Sequence, residues 1–177
     1  MRVVAGAYGG RRLVAPPGDA TRPTSDRVRE ALFSVLGASV QGARVLDLFA
    51  GSGALGIEAL SRGAAGAVFV DRAPRAIAAV RANLEALGIE ADVRRMEARS
   101  ALRAASVRGE AYDLVFLDPP YRRAGELGRE LSEGLAAVLA AGARVVTESD
   151  RRDPLVLDLP LADERRYGDT VIRIHDT

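Results

Sequence analysis

From Arg44 onward, short apolar runs alternate with longer stretches rich in alanine and arginine. The apolar runs have the length of buried strands, and the stretches between them have the length of helices. Predicted strands cover residues 45–49, 67–71, 92–96, 112–118 and 143–148, and predicted helices cover residues 54–62, 74–87, 100–106 and 125–139. Such alternation builds a mostly parallel α/β sheet with helices on both faces.

The end of the chain departs from this alternation. Residues 155–159 and 170–174 are both strand-like, and the segment between them is too short for a helix and contains a turn-like Tyr-Gly-Asp at 167–169. Two strands so close in sequence pair antiparallel. We therefore expect a parallel sheet that ends in an antiparallel hairpin.

Length and composition limit the class of protein. The 177 residues suit one domain with at most a short appendage, and 48% hydrophobic with 28% charged residues is typical of a soluble globular chain. No apolar run approaches the roughly 20 residues needed to cross a bilayer, and the first residues resemble no targeting signal, so we expect a cytoplasmic protein without a membrane partner. The absence of cysteine excludes disulfides and thiol chemistry. The single histidine, His175, is expected at the surface of the last strand without a role, and no metal is expected.

Residues 1–40 form a predicted basic extension ahead of a domain at 41–177. The first thirty residues hold six arginines against three acidic residues, glycine and proline pairs at 9–10 and 16–17 predict a hairpin or arm, and Thr-Ser-Asp at 24–26 predicts the start of a helix over 28–36. A basic, glycine-rich extension suits a polyanion, although it could also serve only as a solvated face. The candidate nucleic-acid contacts are Arg2, Arg11, Arg12, Arg22, Arg27 and Arg29.

A glycine loop follows the first predicted strand. Residues 51–56 have the spacing G-x-G-x-x-G, and Asp71, twenty positions after Gly51, ends the next strand. This is the pattern of a nucleoside-binding turn in which the acid holds ribose hydroxyls. A tight turn without a ligand is the alternative, and the pattern by itself does not identify the nucleoside.

Asp47 favours S-adenosylmethionine over a nicotinamide dinucleotide. It lies four residues before the first glycine, where a carboxylate would repel a pyrophosphate but attract the ammonium of a bound amino acid. The N-terminus of the following helix would favour the carboxylate of that amino acid.

The tetrapeptide Asp118-Pro119-Pro120-Tyr121 follows a strongly apolar predicted strand. An acid at the carboxyl end of such a strand lies at the ligand-binding edge of an α/β sheet. Asp118 and the Pro119 carbonyl can accept both N–H groups of a nucleobase amine and aim its lone pair at a methyl donor, while Tyr121 stacks on the base. Asp118 or water then takes the proton. The four residues are the candidate catalytic group, and a merely rigid loop is the alternative.

Together these motifs resemble class I S-adenosylmethionine-dependent amino-methyltransferases. Residues 22–33, Arg-Pro-Thr-Ser-Asp-Arg-Val-Arg-Glu-Ala-Leu-Phe, are more selective and resemble the RsmD family of bacterial 16S ribosomal RNA guanine-N2 methyltransferases. Segments 2–6, 10–13, 61–64 and 167–170 share this resemblance, which therefore covers nearly the whole chain in order.

The resemblance implies a Rossmann-like, seven-stranded, mostly parallel sheet with an antiparallel last strand. It implies S-adenosylmethionine as donor, S-adenosylhomocysteine as product, and the 2-amino group of one guanine in 16S ribosomal RNA as acceptor, presented on a partly assembled small-subunit particle. The adenine contact falls at Glu97 or the Ala98 backbone, where the acid of many such enzymes is missing. The candidate cofactor residues are Asp47, Phe49, Ala50, Gly51, Ser52, Gly53, Asp71, Arg72, Glu97, Ala98 and Asp118.

Three alternatives stay open from the sequence. An amino-methyltransferase of another RNA or DNA base would use the same tetrapeptide. A dinucleotide-dependent oxidoreductase would share the glycine loop but leaves residues 118–121 and the basic extension unexplained. A non-catalytic RNA chaperone would have little reason to keep every charge and glycine of the site.

Overall fold

A seven-stranded sheet with helices on both faces forms the centre of the molecule. The computed structural model describes residues 1–17, 25–119 and 124–177. The strands are β1 (Arg44–Asp47), β2 (Gly66–Asp71), β3 (Asp92–Arg95), β4 (Tyr112–Leu117), β5 (Leu139–Asp150), β6 (Leu161–Tyr167) and β7 (Thr170–Asp176). The helices are α1 (Asp26–Leu36), α2 (Ala54–Ser61), α3 (Pro74–Leu87), α4 (Ala98–Val107) and α5 (Ala124–Ala136), and a short 3₁₀ turn (Gly37–Val40) follows α1.

The strand order is β3-β2-β1-β4-β5-β7-β6, which confirms the predicted class I, Rossmann-like sheet. Strands β1 to β5 pair in parallel, and β7 runs antiparallel to both β5 and β6. The direction of chain progression reverses between the adjacent strands β1 and β4. In open α/β sheets, ligands bind at such a switch point, beyond the carboxyl ends of the strands.

Alternating side chains divide the core into two layers. Leu114 and Phe116 pack in one cluster with buried residues of α1, α2 and α3, whereas Val115 and Leu117 pack in a second cluster with α4 and α5. The rings of Phe33 and Phe116 lie 5.8 Å apart and tie α1 to the sheet. Both faces of β4 are therefore buried, as its uninterrupted apolar sequence indicates.

The expected helix signals are present. The Ser25 hydroxyl caps α1 by accepting the Val28 N–H at 3.3 Å, and α3 has Pro74 at its start and Gly88, with φ +67°, just past its end. None of the helices in the described ranges has the length and apolar character needed to span a bilayer.

The predicted strand at residues 155–159 is wrong, since β6 begins after this segment. Leu155 and Leu157 are buried in the cluster that contains α5. Backbone N–H groups of the segment donate to the hydroxyls of Ser132 and Ser149 instead of to a neighbouring strand. The alternation of leucines thus reflects burial of one side of an irregular segment.

The expectation that His175 lies at the surface is also wrong, because its exposed fraction is only 3%. Strand β7 lies between β5 and β6, so it is not an edge strand. The His175 Nδ1 lies 3.2 Å from the carbonyl oxygen of Leu159, and burial lowers the pKa of the imidazole. His175 is therefore a neutral core residue.

Residues 1–13 form a short hairpin that packs on the helices and the sheet. The Val3 N–H donates to the Arg11 carbonyl at 2.9 Å, and Val3 and Leu13 are buried in the same cluster as α1. Gly6 has φ +83°, and a Cβ there would lie 1.8 Å from the Ser61 carbonyl oxygen. Only glycine allows the hairpin to approach the end of α2 this closely.

Glu58 of α2 is fully buried and holds the hairpin through its backbone. Its carboxylate accepts the N–H groups of Val4 at 2.7 Å and Ala5 at 3.0 Å, and the Arg62 guanidinium donates to it at 2.7 Å. Several donors on one buried carboxylate offset the cost of removing its charge from water.

Arg29 of α1 completes this network and is itself fully buried. It donates to the Asp26 carboxylate at 2.8 Å and to the Arg2 carbonyl, and its Nε lies 3.9 Å from the Glu58 carboxylate. A side chain enclosed in this way cannot reach a phosphate. Burial therefore removes Arg29 from the predicted nucleic-acid contacts.

We expect Glu58→Gln to lower the free energy of unfolding by about 3 to 5 kcal/mol, because the amide removes the buried anion to which Arg62 donates and leaves one acceptor oxygen for two hairpin N–H groups. Urea denaturation measures the change. The matched control is Glu30→Gln on the exposed face of α1, which should leave the value unchanged. Equal stability of the two variants would contradict the role given to Glu58.

Candidate active site

The glycine loop joins β1 to α2 at the switch point. Gly51 and Gly53 have φ of +57° and +79°, in the left-handed region that favours glycine. A Cβ on Gly56 would lie 2.3 Å from the ring of Phe69, so the third glycine is needed for α2 to pack on β2. Backbone conformation or close packing therefore explains the presence of glycine at each of the three positions of the motif.

Asp71, at the end of β2, holds the glycine loop in place. Its Oδ2 accepts the Gly51 N–H at 3.0 Å, and its Oδ1 accepts the Ala73 N–H at 2.8 Å. A carboxylate has about four acceptor positions, so Asp71 retains acceptors for ligand hydroxyl groups while it fixes the loop.

Asn83 of α3 is a positioning residue that the sequence predictions missed. Its side-chain amide donates to the carbonyls of Ser52 at 2.8 Å and Val14 at 3.0 Å, and its Oδ1 accepts the Val14 N–H at 2.8 Å. Asn83 thereby connects the glycine loop to the N-terminal segment. The feature of the sequence that could have identified Asn83 is an isolated amide on the apolar face of α3, three residues after the buried Val80.

Asp47 is buried at the end of β1, with an exposed fraction of 1%. Burial raises the pKa of its carboxyl to about 7, the Gly56 N–H at 3.1 Å opposes this rise, and the charge of Asp71 adds to it. The ionised form of Asp47 is therefore costly in the ligand-free protein, and a cation placed beside it would be stabilising.

Asp118 lies directly after β4 and is half-buried. Burial, and then the charges of Glu148 and Asp47, raise the pKa of its carboxyl well above the usual range. The three acids lie at the carboxyl ends of the adjacent strands β1, β4 and β5. No set of acidic or histidine side chains within the described ranges is arranged to hold a metal ion.

A pocket of about 380 Å³ opens beside the glycine loop. Phe49, which follows β1, lines it together with Glu97 and Ala98 at the start of α4 and Leu127 of α5. Its lining thus includes three of the predicted cofactor residues. The Glu97 carboxylate also lies 3.7 Å from the Arg72 guanidinium, which places Arg72 at the same edge.

The remaining predicted residues are placed as follows. Ala50 and Ser52 lie in the glycine loop, and Pro119 is buried after Asp118. Pro120 and Tyr121 lie outside the described residues, as does Arg22.

The arginines of the N-terminal segment differ in their surroundings. Arg12 and Arg27 are exposed and form no ion pair with another residue of the described ranges. Arg2 lies 3.3 Å from the Asp26 carboxylate, and Arg11 donates at 2.7 Å to the Ala86 carbonyl at the end of α3. All four keep exposed surface, unlike Arg29.

Comparison with known proteins agrees with this geometry. The family model described as "Conserved hypothetical protein 95" matches residues 1–176. The chain is 42% identical to the putative rRNA methyltransferase YlbH of Bacillus subtilis over 99% of this chain and 98% of that protein. It is also 42% identical to the ribosomal RNA small subunit methyltransferase D of Escherichia coli over 70% of this chain and 61% of that protein.

A solved structure shows the same architecture. The putative methyltransferase yhhF from Escherichia coli superposes with a TM-score of 0.83 at 37% identity, over 99% of this chain and 97% of that one. Sequence family and fold thus agree along nearly the whole chain. The chain therefore belongs to the RsmD family of methyltransferases.

Proposed function

We propose that the protein transfers a methyl group from S-adenosylmethionine to the 2-amino group of a guanine in 16S ribosomal RNA, in the cytoplasm, and releases S-adenosylhomocysteine. The observation that carries this proposal is the position of Asp118 and Pro119 at the end of β4, adjacent to the β1 glycine loop. In this proposal an acceptor for amine hydrogens lies beside the site of the cofactor nucleoside. The names of the curated relatives, small-subunit ribosomal RNA methyltransferases, support the choice of RNA, and we extend it to a partly assembled small-subunit particle.

The residues present fit S-adenosylmethionine. Asp47 is a buried carboxyl group that lacks a cation among the described ion pairs, which suits the ammonium and sulfonium charges. Asp71 offers acceptors for the ribose hydroxyls, and the pocket lined by Phe49, Glu97 and Ala98 has an apolar wall suited to the adenine ring. When bound, the cofactor supplies an electrophilic methyl carbon attached to a positively charged sulfur.

The protein must make a poor nucleophile reactive. The lone pair of a guanine 2-amino group is delocalised into the ring, so the nitrogen attacks only when it is held out of the ring plane. Asp118 and the Pro119 carbonyl accept its two hydrogens and fix that geometry, which is catalysis by orientation and electrostatics. The raised pKa of Asp118 lets its carboxylate accept the proton that leaves the nitrogen, or pass it to water.

The target base must leave its stack to reach this edge of the sheet, and in this proposal it flips out and stacks on the Tyr121 ring. The exposed arginines of the N-terminal segment, Arg2, Arg11, Arg12 and Arg27, supply contacts to the RNA backbone. Such contacts position the RNA without reading its sequence.

We expect Asp118→Ala to reduce methyl transfer by about 10² to 10⁴-fold, because the amine loses its acceptor. Cofactor affinity, measured by calorimetry, should change little. The control Asp113→Ala removes an acid at the opposite end of the same strand and should retain transfer. Loss of cofactor binding together with transfer in Asp118→Ala would place the catalytic group elsewhere.

We expect Asp47→Asn to stabilise the ligand-free protein and to weaken cofactor binding. The folded protein keeps the Asp47 proton up to about pH 7, whereas the unfolded chain releases it near pH 4. The stability of the wild type therefore falls relative to the variant between these values, by at most about 4 kcal/mol. Urea denaturation at pH 5 and pH 8 measures this difference, and calorimetry measures the affinity.

Asp113→Asn provides the control for this experiment. The Arg44 guanidinium lowers the pKa of Asp113, so the amide should destabilise the protein at pH 8 and leave cofactor affinity unchanged. A variant Asp47→Asn that binds cofactor as well as the wild type would exclude Asp47 from the cofactor site.

We expect Arg12→Glu to weaken RNA binding and to reduce the slope of log affinity against log salt by about 1, because one phosphate contact is lost. Filter binding over a salt series measures the slope. Arg108→Glu, an equal charge reversal at the exposed end of α4, is the control. An unchanged slope for Arg12→Glu would remove the hairpin from the RNA interface.

A further inference from the structure

Glu148 of β5 is an acidic residue at the catalytic edge that the proposed function does not yet use. Leu117 of β4 is the register partner of Thr147 on β5, so Asp118 and Glu148 are the next residues along two parallel strands. Neighbouring strands lie about 4.8 Å apart, and partners in register project to the same face. The two carboxylates therefore leave the sheet side by side.

Both acids lie on the sheet face that carries Asp47. Phe116 and Val146, two residues before Asp118 and Glu148 respectively, pack in the cluster that includes α1, α2 and α3. Asp47 is the register partner of Phe116. The charge of Glu148 contributes to the raised pKa of Asp118, which agrees with their closeness.

Glu148 is buried, with an exposed fraction of 4%. It has an interaction of its own in the structure, and a carboxylate with about four acceptor positions can accept a further donor. A buried carboxylate beside the amine acceptor is costly unless donors face it. A substrate base bound at this edge of the sheet would supply such a donor.

We propose that Glu148 accepts a hydrogen bond from N1–H of the target guanine and thereby selects guanine over other amine-bearing bases. This inference rests on the proposed function. On its Watson–Crick edge guanine presents N1–H next to the 2-amino group. The Glu148 carboxylate can therefore accept the N1–H while the neighbouring Asp118 carboxylate accepts a hydrogen of the amine. Adenine and cytosine present a ring lone pair next to their amine, and this lone pair would face the Glu148 carboxylate unpaired.

We expect the protein to discriminate strongly between guanine and bases that lack the N1–H group. A site built to bond a substrate N–H rejects an analogue that lacks it, because a buried acceptor is left without a donor. The base 2-aminopurine is a suitable probe, since it keeps the 2-amino group but has a lone pair at N1. The wild type should prefer guanine over 2-aminopurine by about 100-fold or more in kcat/KM.

The test first locates, by mass spectrometry of small-subunit RNA, the guanine that the wild-type protein methylates. Synthetic RNA then carries guanine or 2-aminopurine at that position. Glu148→Gln places an amide N–H where the carboxylate was, and this group can donate to N1 of 2-aminopurine. We expect the guanine preference of this variant to fall at least about tenfold from the wild-type ratio. Asp150→Asn, two residues further along β5, is the matched control and should keep the wild-type ratio.

The outcomes separate the two proposals. No transfer from S-adenosylmethionine to any guanine defeats the proposed function and this inference together. Transfer to guanine with an equal rate on 2-aminopurine, or an unchanged preference in an active Glu148→Gln, overturns the role of Glu148 alone. Should Glu148→Gln fail to fold or to react, Glu148→Ala replaces it, with a preference expected to approach one. If both variants are inactive, the wild-type ratio decides, and a value near one overturns the inference.

Discussion

Burial of acidic side chains at one edge of the sheet is the constraint on which the candidate active site depends. Asp47, Asp118 and Glu148 lie at or near the carboxyl ends of three adjacent strands, and the pKa values of Asp47 and Asp118 are raised because water is excluded and like charges are near. Apolar side chains in place of these acids would avoid the cost of burying charge at this edge of the sheet. The arrangement makes physical sense for a site that receives positive charge and hydrogen-bond donors, since each of these relieves the cost.

A second buried network unites the N-terminal hairpin with the rest of the molecule. Glu58 binds the hairpin backbone, and Asn83 connects Val14 to the carbonyl of Ser52 in the glycine loop. The segment proposed to contact RNA is thus attached to the loop proposed to hold the cofactor. Buried residues of the N-terminal segment and of the sheet belong to one hydrophobic cluster.

The sequence predicted those features that local pattern encodes. The apolar runs predicted the parallel strands, and the short segment between the last two strand-like runs predicted an antiparallel hairpin. The spacing of the glycines predicted the loop after β1. What was missed depends on tertiary contacts. The segment 155–159 has strand-like alternation but bonds to serine hydroxyls, and burial of Arg29 and His175 depends on what packs over them. Asn83 and Glu148 belong to no motif, so only their positions in the fold give them a role.

The Glu58 network joins residues that are far apart in the sequence, so it can form only after both parts of the chain have been synthesised. Val4 and Glu58 are 54 positions apart in the chain, and Gly6 rests on Ser61 at the end of α2. Val4 is therefore synthesised 54 residues before the Glu58 carboxylate that binds its N–H group. The hairpin is synthesised before α2, yet it can dock on α2 only after that helix has emerged.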